Sequence, residues 1–299
     1  CFSDTPGESF QTYTNPKFKA EGGYSKVAES VFVAALFTFA GPNYVSILNH
    51  VGKKDEAAKA QAEIDKMKKV MMESAWDGNW FIRAYDANGE KMGSKDCEES
   101  KIFIEPQGFA IMSDIDKDAT EKTLKAIDEN LNCEFGLVLN YPAFTKYHVQ
   151  YVEISTYTEG YKENGGIFTH NNAWIICAAA YAGKGDQAFK YYSEIAPSYT
   201  EETSDIHKTE PYVYGQMIGG KEAGSDIGNG GKNYGQGKNS WLTGTAAWNM
   251  VAISQYILGI KPDFDGLMIN PSIPSSWDGF KATRLFRGAK YNITIKNPN

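Results

Sequence analysis

Positive charge is in short supply. The 299 residues carry 30 Lys and Arg against 37 Asp and Glu, a formal net charge of −7. With no broad basic face, nucleic acid and anionic membranes are excluded as partners. Lysines do cluster between Lys53 and Lys69, but acids interleave with them at helical spacing and no aromatic residue accompanies them. That pattern describes a solvated helix face and not a base-stacking platform. Cysteine is scarce too: Cys1, Cys97, Cys133 and Cys177 form no CxxC pair and no metal-ligand spacing with the four histidines. Free thiols in a reducing cytoplasm follow, with neither metal nor cofactor. Also absent are a continuous apolar run of the roughly 18 residues a membrane span needs and a basic-then-apolar leader. The chain lacks an initiator methionine, opens on Cys1-Phe2-Ser3 and stops at Asn297-Pro298-Asn299 straight after a strand-like alternation. Both ends read as cut.

What is present is a large apolar fraction, 42% of the residues, enough for one large domain or one domain with an appendage. Helical periodicity predicts helices over 25–51 and 53–75, the first kinked or broken at Gly41-Pro42 and stopped at Gly52. Residues 76–85 followed by Asp86-Ala87-Asn88-Gly89 read as an aromatic-rich hairpin inserted at the rim. Further helices are expected over 105–112, 119–131, 172–181, 186–195 and 240–258. Apolar members carrying Ala178-Ala179-Ala180 or Thr245-Ala246-Ala247-Trp248 alternate with Lys- and Glu-rich ones, as concentric inner and outer layers would require. Beyond Pro262 the period falls to two, predicting strands and a boundary near 259–263. The glycine-rich stretch 219–237 reads as a mobile surface loop, since it lacks the Gly-Lys-Ser/Thr ending of a phosphate loop.

Two segments are rich in chemistry. In Tyr161-Lys162-Glu163-Asn164-Gly165-Gly166-Ile167-Phe168-Thr169-His170-Asn171-Asn172-Ala173-Trp174, a cation, acids, amides and a histidine surround two glycines just before an apolar helix. In Ser240-Trp241-Leu242-Thr243-Gly244-Thr245-Ala246, hydroxyls and a glycine open another. Helix starts hold unpaired N–H groups at the positive end of the dipole, so the pair suits one shared oxyanion, with Thr243, Gly244, His170 and the Gln216 amide as candidate donors. Each has an ordinary alternative: a histidine beside aromatic residues can be a packed side chain, and a threonine before a helix an N-cap. Sugars present flat apolar faces and hydroxyls. Glu153, Tyr157 and Lys162 lie in one loop before His170 and place an acid, an aromatic ring and a cation next to the anion pocket, although Glu153 reads equally well as a solvated acid.

The strings Ala75-Trp76-Asp77-Gly78-Asn79-Trp80-Phe81-Ile82-Arg83-Ala84-Tyr85, Phe103-Ile104-Glu105-Pro106-Gln107-Gly108, the two segments above and Glu210-Pro211-Tyr212-Val213-Tyr214 together resemble the cellobiose phosphorylases of glycoside hydrolase family 94. The resemblance covers essentially the whole chain. It implies a mainly α fold, the second part of an (α/α)6 barrel over residues 1–260, and the start of a small C-terminal β domain over 261–299. It also implies inverting phosphorolysis of cellobiose to α-glucose 1-phosphate and glucose, phosphate being a substrate. An inverting hydrolase needs a second carboxylate to activate water, whereas phosphate is already an anionic nucleophile and one acid suffices.

By the same resemblance His170, Gln216, Thr243 and Gly244 bind phosphate, Lys162 touches the transferred sugar, and Glu153 and Tyr157 surround the acceptor glucose. An aromatic Tyr157 would crowd an N-acetyl group, favouring cellobiose over chitobiose. The family's general acid falls just upstream of Cys1, so no catalytic residue is expected within the chain and the isolated chain is expected to be inactive. The implied partners are the missing N-terminal part of the same protein and a second copy in a homodimer. A phosphorylase for another β-linked disaccharide, chitobiose or laminaribiose, and a noncatalytic carbohydrate-binding helical module remain the alternatives.

Overall fold

In the computed structural model, residues 28–86, 89–148, 151–223 and 233–298 are described, apart from the side chains of Val152 and Glu153. Cys1 and the expected cut end lie outside them. Strand β1 (Glu29–Ser30) leads into helix α1 (Val31–His50), whose first turn is capped by the Ser30 hydroxyl accepting from Val33 N–H at 3.3 Å. The expected break at Gly41-Pro42 does not occur: α1 runs through it unbroken. Its partner is α2 (Lys54–Val70), and a Cβ on Gly41 would stand 2.6 Å from Ile64 Cδ1. The missing side chain lets the two helices close up, and that packing outweighs the hydrogen bond Pro42 cannot donate. The run-based reading of no membrane-length segment also needs correcting, since the 20-residue α1 is long and apolar enough, by length and composition, to cross a bilayer. It buries Val31, Phe32, Ala35 and Leu48 and exposes Val33, Phe37, Tyr44 and Ile47.

Helix α2 has the solvated face that the sequence predicts. It buries only Ala57 and Ile64, and ion pairs such as Lys66–Glu63 at 3.7 Å line its outside. It passes into a π-helical turn, Met71–Ala75. The aromatic-rich segment that follows is not at the rim. Phe81, Ile82, Arg83 and Ala84 are fully buried, and β2 (Ala84–Tyr85) pairs with both β1 and β3 (Lys91–Met92). The reason is Gln107 of α3 (Glu105–Met112): its amide donates to Phe81 O at 2.8 Å and accepts from Phe81 N–H at 3.1 Å. A side chain thus satisfies backbone groups that an exposed hairpin would leave to water.

Strand β4 (Ile102–Phe103) precedes α3, which is buried along its whole length. Then come α4 (Lys117–Asn130), capped by Asp116, and β5 (Asn132–Cys133), β6 (Gly136–Leu137) and β7 (Asn140–Tyr141). Strand β8 (Ile167–Phe168) opens into α5 (Thr169–Tyr181), in which Ala178, Ala179 and Ala180 are buried as expected of an inner helix. Helices α4 and α6 (Gly185–Ile195) are amphipathic and outer, α4 with Ala119, Leu124 and Ile127 inward and α6 with Ala188, Tyr191 and Ile195. The body is therefore mainly helical, with α3 and α5 buried, α2 packed on α1, and α4 and α6 amphipathic. After the short α7 (Ser204–His207) come β9 (Gly215–Ile218) and β10 (Gly237–Ser240).

The described ends of the glycine-rich stretch are packed, against expectation. Gly219 and Gly220 are buried, Gly220 N–H donates to Gly160 O at 2.9 Å, and a Cβ on Gly220 would lie 1.8 Å from Gly165 O. Glycine composition here serves backbone-to-backbone contact, which composition alone does not distinguish from a mobile loop. The predicted helix over 240–258 is likewise shorter: Ser240 ends β10, and α8 (Thr245–Val251) continues as a π-helix, Ala252–Ile257. Positive φ at Asn239 (51°) and Trp241 (70°) bars helical continuation. The C-terminal strands β11 (Ile260–Pro262), β12 (Leu267–Ile269), β13 (Gly279–Phe286) and β14 (Ala289–Lys296) form two antiparallel pairs.

Candidate functional site

One small sheet brings the two chemistry-rich segments together. Its strand order is β10-β9-β8, with Ile167 opposite Ile218 and Ser240 opposite Gly215. Strand β8 runs straight into α5 and its His170. Strand β9 carries Gln216, and β10 leads to Thr243, Gly244 and α8. Hydroxyls tie the two helix starts: Thr243 Oγ1 lies 2.5 Å from Thr245 Oγ1, which lies 2.6 Å from Thr169 Oγ1, which donates to Gly215 O at 2.6 Å. Each hydroxyl has one proton. Since Thr169 gives its proton to Gly215, Thr245 must donate to Thr169 and Thr243 to Thr245. Thr243 Oγ1 also accepts the Thr245 N–H at 3.1 Å, so its proton is engaged within the protein. An anion there meets the backbone around Gly244 and not this hydroxyl, and a Cβ on Gly244 would meet nothing within 4 Å.

His170 and Gln216 line a single cavity of about 200 Å³, together with Phe32, Glu105, Leu139, Glu163, Phe168, Asn171 and Trp174. Thr243 and Gly244 are outside its lining and join it through the hydroxyl chain. The imidazole stands edge-on to both Phe168 (5.7 Å) and Trp174 (5.6 Å), and Trp174 in turn stacks on Phe32 at 5.4 Å. Burial among these rings lowers the His170 pKa to about 4. At neutral pH it is uncharged and offers one N–H donor. Asn239 donates to Gln216 Oε1 at 3.1 Å, which leaves the Gln216 amide hydrogens to donate.

Sequence reasoning missed two polar groups of the cavity lining. Glu163 Oε2 and Trp174 Nε1 are buried there without a hydrogen-bond partner, an acceptor and a donor facing one cavity. Glu105 lines the same cavity and is held by the buried Arg83, whose Nε is 3.5 Å away. Glu163 stood within the motif, but only its burial separates it from the other acids. The expected sugar contacts gather elsewhere. Lys162, at φ 48°, places Nζ 5.0 Å over the Tyr157 ring, and Tyr157 meets Tyr161 edge-on at 6.4 Å. Glu153 lies on the 3-10 turn Val152–Thr156, its side chain outside the described set. None of these three lines the cavity; Glu163, next to Lys162, connects the two groups. Neutral donors and carboxylates lining one cavity can hold an oxyanion against a polyhydroxyl ligand.

A family model for the glycosyl hydrolase 94 superfamily catalytic domain matches residues 15–259. The chain is 32% identical over 274 residues to N,N'-diacetylchitobiose phosphorylase of Vibrio proteolyticus, a match that covers 91% of this chain and 33% of that protein. It is 30% identical over 273 residues to solabiose phosphorylase of Paenibacillus borealis, covering 91% and 34%. The chain thus spans about a third of the length of the curated relatives it matches. A solved structure described as a sialidase superimposes with a TM-score of 0.60 at 16% identity over 88% of this chain and 23% of its own, a likeness of fold alone. With most of its length matched by the family model, the chain belongs to the glycosyl hydrolase 94 superfamily.

Proposed function

We propose that the whole protein of which these residues are part carries out inverting phosphorolysis of a β-linked disaccharide, with this chain supplying the phosphate site and part of the sugar site. What supports the reading is the β10-β9-β8 sheet, which joins the segments that bear His170, Gln216 and Gly244, together with the cavity that His170 and Gln216 line. Phosphate held by these donors attacks C1 of the nonreducing sugar. The C1–O bond breaks on the opposite face, and a carboxylic acid protonates the departing oxygen. The sugar 1-phosphate leaves with inverted configuration, and the second sugar leaves as the free hydroxyl compound. The described cavity supplies ground-state contacts. The proton donor belongs to sequence beyond these residues, so the isolated chain binds phosphate without turning over disaccharide.

Cellobiose is the substrate this reading favours: if Tyr157, edge-on to Tyr161 at 6.4 Å, borders the acceptor sugar, its ring would crowd an N-acetyl group. N,N'-diacetylchitobiose is the second reading, supported by the relatives that bear that name. In the same proposal, residues 1–260 form part of an (α/α)6 barrel and 261–299 begin a β domain. The family match ending at 259 and the change from helix to paired strands there both support that boundary. A cytoplasmic location and a homodimer complete it. The test is phosphorolysis by the whole polypeptide with cellobiose, laminaribiose and N,N'-diacetylchitobiose, read as phosphate consumed. Consumption with cellobiose alone is expected; consumption only with the acetylated sugar overturns the substrate, and none with any of them overturns the reaction.

A further inference from the structure

A second cavity, of about 290 Å³, lies under the turn 210–213 and takes no part in the reading above. This is near the lower limit of roughly 300 Å³ for small-molecule pockets. Its lining includes Thr200, Ser204, His207, Thr209, Glu210 and Tyr212, and contains no Lys or Arg. With Glu201 and Glu210 as its charged groups, it repels anions such as phosphate. Thr209 Oγ1 is buried there without a hydrogen-bond partner.

Tyr212 belongs to this lining, and Trp241, outside it, reaches it at Glu210. Tyr212 is 83% exposed and Trp241 is 71% exposed, and Trp241 Nε1 donates to Glu210 Oε1 at 3.2 Å. Hydrogen bonds from Ser240 and Trp241 hold the Glu210 carboxyl below its ordinary pKa, so it is an ionised acceptor. Both aromatic residues occupy the left-handed backbone region, at φ 68° and 70°. Val213 N–H closes the turn onto Glu210 O at 3.3 Å, with Pro211 second and Tyr212 third, the position where a positive φ calls for glycine. Tyr212 and Trp241 thus flank the Glu210 carboxylate, and a positive φ at both is backbone strain of the kind that collects at binding sites.

We propose that Tyr212, Trp241 and Glu210 form a second saccharide-binding site, in which the aromatic faces cover the C–H face of a pyranose and the carboxylate accepts from its hydroxyls. The pocket stands on its own geometry, whereas the choice of a saccharide over other neutral polyols rests on the phosphorylase reading. The test titrates cellobiose and glucose into the full chain without phosphate, following tryptophan fluorescence and saturation-transfer NMR, and titrates phosphate separately. Trp241→Ala, Tyr212→Ala and Glu210→Gln should each weaken cellobiose by roughly tenfold, the loss of one good contact. Trp241→Phe, which keeps a ring, should weaken it less. The exposure of both aromatic side chains spares the core in these variants. Indifference to Trp241→Ala, no sugar bound by the wild type, or shielding of Trp241 by a second copy at high concentration would each overturn the site. Trp241-dependent sugar binding without any phosphate binding would instead remove the phosphorylase reading and leave this site standing.

Discussion

His170 is neutral because burial beside Phe168 and Trp174 takes its water away, and this burial has two measurable consequences. Its folded pKa, about 4, lies below the ordinary value of 6.5. The unfolded chain therefore binds the extra proton first: the contribution to stability is present above pH 6.5 and is lost as pH falls from 6.5 toward 4. A bound phosphate should reverse the shift, raising the His170 pKa in an NMR titration, because the dianion favours the imidazolium. His170→Ala should weaken phosphate by roughly 10–100-fold, as expected for a hydrogen bond to a charged group worth about 1.5–3 kcal/mol, measured as the phosphate KM of the whole polypeptide. Glu163 should separate from it: Glu163→Gln weakens sugar and leaves phosphate affinity unchanged. The sequence offers His170 as an imidazole at a helix start and Gln216 as an amide, and the structure puts both on the lining of one cavity. Glu163 and the Trp174 Nε1 were not legible, since an acid and an indole in sequence carry no mark of burial.

At the scale of elements, close approach decides more than propensity. Ala is the better helix former by about 1 kcal/mol, yet Gly41→Ala should destabilise by about 1–3 kcal/mol through overpacking, because Ile64 Cδ1 and Cγ1 stand 2.6 and 2.7 Å from the new Cβ and Ile64 is fully buried. Ile64→Ala in the same chain should make Gly41→Ala harmless or favourable, a coupling that denaturant melts would resolve. The seam between α4 and α6 offers a pH test. Burial, with a smaller contribution from Asp128, raises the Glu194 pKa to about 8 from 4.5, and its Oε2 has no hydrogen-bond partner. Folding then prefers the protonated acid, so stability falls as pH rises from 4.5 to 8 and levels off above. Glu194→Gln should flatten that slope and raise the melting temperature at pH 8. Helix positions were readable because periodicity is local. The burial of residues 76–85 and the early end of the helix predicted from 240 were not, because they depend on the Gln107 amide and on positive φ at Asn239 and Trp241.

On the scale of the whole molecule, segments more than 70 residues apart in sequence meet across one sheet, as the Thr169–Thr245 hydroxyl contact at 2.6 Å records. Sequence alone named both segments but supplied no register, and the register is what puts Gln216 between them. The most direct test is a phosphate titration of the isotope-labelled chain, with the Gly244 amide and the His170 ring followed in the same NMR experiment. One shared affinity for both signals, lost together in His170→Ala, is the predicted result. Two different affinities, or a Gly244 amide indifferent to phosphate while His170 responds, would contradict the shared oxyanion site.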